Sequence, residues 1–390
     1  MGHATGDGLL VEVAGRLRSC LEPGETAARF GGDEFAVLIE DAGGETGATE
    51  AAGRIARGLS PPFDLDGREV FVTPSVGVAL APPGGGTPDG LLREADAAMY
   101  AAKARGRDRH AVFRPGMRAA SAGRLELEGD LRRALGDPDR EFRLFYQPQV
   151  RVGDGVVAGF EALVRWEHLG RGLLPPGEFV PLAEETGLIV PLGLWVLREA
   201  CRQAGEWRRL QIGAGRPPLT MSVNLSARQL REPGLAGAVA EALGASGVGP
   251  DDLVLEITET ALVGDSPSAV PTLQHLREWG VRIAIDDFGA GYSSLSYLKR
   301  LPVDQLKLDR SIVAGLDLDQ TDLAVATSAL ALARALGLEA VAEGVETRGE
   351  AEKLAEVGCE LGQGFYWQKP APPKEAGLLA LGPCPIHPTS

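Results

Sequence analysis

The chain has 390 residues, 44% of them hydrophobic, enough for two or three domains with sizeable buried cores. Its formal net charge of -15 and pI near 4.9 exclude general binding of nucleic-acid polymers or anionic membranes, which needs an excess of Lys and Arg. The four cysteines, Cys20, Cys201, Cys359 and Cys384, form no CxxC pair, which suggests neither a zinc knuckle nor a disulfide framework and points to reduced thiols.

No run approaches about 18 apolar residues, and "MGHATGDGLL" lacks the basic and apolar regions of a signal peptide. A cytoplasmic chain is expected, unless a membrane or sensor segment lies upstream. In chain order, a helix is predicted through "DGLLVEVAGRLRSCL", then a hairpin over 28–40, a helix near 45–59 and a strand in "FVTPSVGVAL". A helix "PDGLLREADAAMYAAKARG" follows, with Leu92, Ala95, Met99 and Ala102 at core spacing, Pro88 and Asp89 at its start and Gly106 at its stop. Residues 1–114 therefore read as an α/β sheet domain, and 115–140, between Pro115 and the "GDPD" breaker, as a helical linker.

From residue 141 the pattern becomes a long run of strands and helices: "EFRLFYQPQV", "VVAGFEALVRW", a helix near 193–211, "LTMSVNLSA", a helix near 233–244 and "LVLEITET". It continues with a helix near 268–279, "RIAIDDFG", "DQLKLD", a helix near 320–336, "EAVAEGVE", a helix near 347–357 and "GQGFYW". About eight strands in this span suit a (β/α)8, TIM-like barrel over 141–376, with a tail over 377–390.

Chemistry in such barrels sits at the C-terminal ends of the strands. There the sequence places Glu161, Asn224, Glu256, Asp286 with Asp287, Lys307 and Glu343. A single acid at a strand end is most often a helix cap or a surface group. A set falling at successive strand ends is different, because converging buried carboxylates repel unless cations are bound. The donors are all oxygen, without His or Cys, which favours hard divalent ions. The paired aspartates of "AIDDFG" suit two metals, the arrangement that stabilises both attacking and leaving oxygens in phosphoryl displacement.

"EALVRW", "NLS", "LEITET", "IDDFGAGYSSL", "LKLD", "AEGVE" and "QGF" together resemble the EAL-domain phosphodiesterases of cyclic di-GMP. The resemblance implies hydrolysis to linear pGpG by a water activated between two Mg2+ or Mn2+ ions. It assigns Glu161, Asn224, Glu256 and Asp286 to one metal, and Asp286, Asp287 and Glu343 to the other. Lys307 and Glu343 join Glu161 as catalytic residues, Lys307 orienting the water and Glu343 handling a proton. Arg165 and Gln363 contact substrate, although Gln363 also suits packing of the last strand. Glu259 holds the loop after the paired aspartates, and a homodimer through the barrel is expected. Ala290 stands where Thr is frequent, and Trp367 where a smaller aromatic is usual.

The first region resembles the later part of a GGDEF diguanylate cyclase domain, on "GHATGD", "GGDEF" and "AAMYAAKARGRDR". By matched position Asp7 contacts guanine, Asp33 and Glu34 serve metal, and Lys103 with Arg107 meet the phosphates of GTP. The chain begins after the strand that brings the family's other metal-binding Asp, so a vestigial site without cyclase activity is expected. "EPGE" at 22–25 replaces the family's inhibitory "RxxD", which argues against product feedback. Two alternatives to the phosphodiesterase stay open: a non-catalytic cyclic di-GMP receptor, and a scaffold regulated by GTP.

Overall fold

The computed structural model describes residues 3–65, 68–81, 85–104, 108–259, 261, 270–289, 298 and 301–380. The chain divides into two units at Leu127/Glu128. In the first, a helix over His3–Ser19 buries Val13 and Leu17 against Ile55 and Leu59 of a helix over Gly44–Leu59, and against Phe63. The hairpin forms from β1 (Glu25–Gly31) and β2 (Glu34–Ile39). Gly32 turns it at φ 51, a left-handed conformation suited to glycine, and the Arg29 guanidinium donates to the Gly32 carbonyl at 2.8 Å.

β3 (Phe63–Leu65) pairs antiparallel with β4 (Arg68–Val70), and β5 (Val76–Val78) pairs parallel with β6 (His110–Val112). The six strands therefore make three two-stranded sheets, and the expected strand in 71–80 keeps only three residues. A helix over Pro88–Ala104 lies so close to β5 that a Cβ on Gly77 would come within 1.9 Å of the Ala95 carbonyl oxygen. That approach admits only small side chains. Ala98 and Ala102 are wholly buried, whereas Leu92, expected in the core, is exposed.

The unit boundary falls inside a helix over Gly116–Ala134, the region read from sequence as a linker. Its second half buries Leu131 and Ala134. The barrel follows, from β7 (Phe142–Arg151), β8 (Val157–His168), β10 (Thr220–Asn224), β11 (Leu253–Thr258), β12 (Arg282–Phe288), β13 (Gln305–Leu308), β14 (Glu339–Ala342) and β15 (Leu361–Gly362). These eight close through β8–β10 pairing, and a short β9 (Gly172–Leu174) extends β8 at its edge.

Six of the barrel's neighbouring pairs are parallel, but β7 runs antiparallel to both β8 and β15. The expected unit of strand then helix fails here because residues 152–156 join β7 directly to β8. A parallel crossover needs a dozen or more residues, so the chain turns as a hairpin, with Gly155 at φ 67. The remaining strands, such as β11 with "LVLEI" fully buried, are covered on both faces, which explains their near-continuous apolar sequence. A helix over Pro373–Ala380 packs on the barrel beyond residue 376, and its Ala380 carbonyl accepts from Gln211 Nε2 at 2.6 Å. Residues 377–380 are therefore helix, not tail.

Alternation along β8 couples core to site. Phe160 is fully buried with its ring 4.7 Å from that of Trp207, on the face opposite Glu161. Phe160→Ala is expected to cost about 3–5 kcal/mol in urea unfolding. A cost under about 1 kcal/mol would show that the barrel wall does not depend on this contact.

Candidate active site

Six barrel strands or their immediate ends carry the polar set. Asn224 closes β10, Glu256 lies on β11, Asp286 and Asp287 on β12, and Lys307 on β13; Glu343 follows β14 directly. Glu161 differs from expectation by sitting in the middle of β8. That strand continues past the barrel rim to pair with β7 and β9, so its own end lies seven residues further on.

The paired aspartates need a local device, because successive strand side chains point to opposite faces. Register between β12 and β13 slips between Ile285 and Phe288, and Asp287 adopts φ 56. This bulge turns both carboxylates toward one place. Ligand oxygens of Asp286, Asp287 and Glu343 all lie within 4.8 Å of one another, a cluster that can hold a metal ion. Asp tolerates the left-handed conformation better than most residues, and Asn shares that tolerance. Asp287→Asn is therefore expected to unfold within about 0.5 kcal/mol of the parent. Mn2+ affinity, measured by calorimetry, should fall by at least about tenfold. Unchanged affinity would remove Asp287 from the ligand set.

Lys307, 1% exposed, stands at the centre of the carboxylates. Its Nζ lies 2.6 Å from Glu343, 2.7 Å from Glu256, 3.1 Å from Asp286 and 3.7 Å from Glu161. Asn224 Nδ2 donates to Glu161 Oε1 at 2.6 Å, and Gln363 Nε2 donates to Glu161 Oε2 at 2.5 Å.

Burial works against the Lys307 ammonium, but the surrounding carboxylates hold its pKa well above the usual lysine value. Burial likewise opposes ionised Glu161, yet Lys307 and the Gln363 and Asn224 amides hold this carboxyl below its ordinary range. Glu256 is pushed well above its range by burial and by the charges of Glu161, Asp286 and Glu343, with Lys307 opposing. Burial raises Glu343 to about 8, against the pull of Lys307. Burial first, and then Asp286, raises Asp287. A cluster in which Glu256 and Glu343 resist ionisation is one that divalent cations would stabilise.

Arg165 lies four residues after Glu161 on the same face of β8. Its guanidinium is partly buried, donates to the Val164 carbonyl at 2.9 Å and sits 5.4 Å from the Phe145 ring centre. Gln363 is buried at 4% exposure, with its amide committed to Glu161 and to Gln147 Oε1 at 3.0 Å. Glu259 follows β11, and its Oε2 is buried without a partner among the described residues. Residues 290–297, including Ala290, lie outside the described residues, as does Arg107. In the first unit Asp7 is exposed and Lys103 partly buried, on separate helices, while Asp33 and Glu34 are exposed at the hairpin tip. Neither tip carboxylate enters a metal-sized cluster among the described residues.

Sequence reading passed over Gln147 and Gln149, buried side by side on β7. The available signal was two amides at a spacing of two within the largely apolar run "FRLFYQPQV".

Residues 128–370 match the EAL domain family, and residues 1–109 match the family described as diguanylate cyclase, GGDEF domain. The bifunctional diguanylate cyclase/cyclic di-GMP phosphodiesterase MucR of Pseudomonas aeruginosa is 44% identical over 379 residues, 97% of this chain and 54% of MucR. The cyclic di-GMP phosphodiesterase NbdA of the same organism is 42% identical over 372 residues, 95% of this chain and 47% of NbdA. The chain thus spans about half the length of the curated relatives it matches. Among solved structures, the PaMucR phosphodiesterase in complex with c-di-GMP is similar with a TM-score of 0.60 and 45% identity, over 64% of this chain and 99% of that one.

Proposed function

Because the chain belongs to the EAL domain family, with a GGDEF domain ahead of the barrel, we propose that its barrel hydrolyses cyclic di-GMP to linear pGpG. The observation that carries this reading is the convergence of Glu161, Glu256, Asp286 and Glu343 on Lys307, with Asp287 folded in beside them by a bulge. Five carboxylates against one ammonium leave a charge of -4 when all are ionised, which two divalent cations balance. The all-oxygen donor set fits Mg2+ or Mn2+. Asn224 supplies the neutral donor beside Glu161. Ions of this kind would polarise a phosphoryl oxygen and lower the pKa of a bound water toward neutrality.

The chain's own groups do the remaining work. Lys307 keeps its proton and offers charge-assisted hydrogen bonds to oxygens at the centre of the cluster. Glu343, 2.6 Å from the Lys307 ammonium, exchanges a proton with the leaving oxygen. Arg165 holds a substrate phosphate at the rim, supplying local positive charge in a chain of net charge -15. Gln363 acts through Glu161, and Glu259 steadies the loop that follows the aspartates. A homodimer through the barrel, a cytoplasmic site of action, and GTP held by Asp7, Asp33, Glu34, Lys103 and Arg107 complete the proposal.

The test is incubation of the purified chain with cyclic di-GMP and Mg2+ or Mn2+, with products separated by ion-pair chromatography. Production of pGpG that disappears in the Glu161→Gln variant is the expected result. Tight binding of cyclic di-GMP without pGpG would instead establish a receptor.

A further inference from the structure

Gln149 closes a ring of side chains with the carboxylates, and the chemistry above leaves it unused. β7, the reversed strand, sends Gln147 and Gln149 toward the barrel interior, where Gln149 is 1% exposed. Gln149 Nε2 lies 3.2 Å from Gln363 Oε1, 3.4 Å from Ser222 Oγ and 3.5 Å from Glu256 Oε1. Gln363 in turn donates to Glu161 at 2.5 Å, and Lys307 links Glu256 back to Glu161 at 2.7 and 3.7 Å. Glu161, Gln363, Gln149, Glu256 and Lys307 therefore close a ring drawn from five separate parts of the barrel wall.

Gln149 is a neutral member of that ring and reaches both Gln363 and Glu256. Its presence is costly, because its Oε1 is buried without a hydrogen-bond partner among the described residues. An aliphatic side chain would fill the same space without that penalty. The amide hydrogens point to a different use. They lie against one oxygen of Glu256, whose other oxygen faces Lys307 at 2.7 Å, and against the amide oxygen of Gln363, whose nitrogen grips Glu161. Fixing both carboxylates leaves their rotation little freedom, and ligand orientation of this kind governs metal affinity.

We propose that Gln149 is a positioning residue that holds Glu256, and through Gln363 also Glu161, in register for a divalent cation. The turnover part of its test rests on the phosphodiesterase reading; the metal-binding part does not. In Gln149→Leu, Mn2+ affinity measured by calorimetry is expected to weaken by about 10- to 100-fold. The kcat for cyclic di-GMP should fall by a similar factor with KM within about threefold, since substrate contacts at Arg165 are untouched. The unfolding midpoint of the metal-free protein should change little, because removal of a buried unpartnered oxygen offsets the loss of donors to Gln363 and Glu256. Gln149→Met, of nearly equal length, is expected to behave alike and serves if the leucine variant does not fold. Parental Mn2+ affinity in either folded variant would overturn the proposal, as would a lowered unfolding midpoint with affinity unchanged. A parent that binds Mn2+ but makes no pGpG would remove the phosphodiesterase reading, leaving the Mn2+ comparison to decide the role of Gln149.

Discussion

Glu161→Gln is expected to lower the rate of cyclic di-GMP opening by at least about 100-fold, the scale of losing one group that stabilises developing charge. The substitution keeps the shape of the side chain and an oxygen for Asn224, which donates at 2.6 Å in the parent. What disappears is one negative charge, and with it one anionic metal ligand. Two amide nitrogens, those of Gln363 and of the new glutamine, would also compete for position, because Gln363 Nε2 donates to Glu161 Oε2. The metal-free fold should be as stable as the parent or more so, since one of the repelling carboxylates near Lys307 is gone. Chromatographic assay of pGpG together with thermal unfolding separates the two effects. Retention of more than about a tenth of parental turnover would take Glu161 out of the catalytic set.

Lys307→Met produces the opposite pattern, with stability lost as well as activity. Its ammonium is 1% exposed and lies within 3.7 Å of four carboxylates. Removing one partner of a buried ionic cluster costs about 3–5 kcal/mol, because the other charges stay buried without compensation. The deficit should grow with pH. Glu256 and Glu343 already have raised pKa values in the folded protein, so their contribution is present at low pH and is lost as pH rises, for Glu343 through about 8. Without Lys307 nothing offsets their ionisation. Urea unfolding at pH 6 and at pH 8.5 is therefore expected to show the larger deficit at the higher pH, with saturating Mn2+ restoring part of it. Equal midpoints for parent and variant at both pH values would show that Lys307 is not the internal counter-ion.

The polar residues of the cluster were legible because each interrupts or ends an apolar strand in a repeating pattern. Lys307 in "LKL" and Glu256 in "LEI" have no reason to lie in such runs unless something in the interior receives them. The first unit was less legible. The "GGDEF" tip is conspicuous in sequence, yet Asp33 and Glu34 stand exposed, and small residues rather than Leu92 form the buried stripe of the helix that packs on Gly77.

The order and type of the barrel elements, and the oxygen-donor character of its mouth, were determined by the sequence alone, since periodicity and residue chemistry are local properties. Three features were decided only by tertiary structure. The reversal of β7 follows from a short connection and the closure of the barrel. The folding of Asp287 to the side of Asp286 depends on a slip of register against β13. The ring through Gln149 joins residues 107 and 214 positions apart, from Gln149 to Glu256 and to Gln363. Pairing partners across a closed sheet are set by register and shear, which no residue carries in its own neighbourhood.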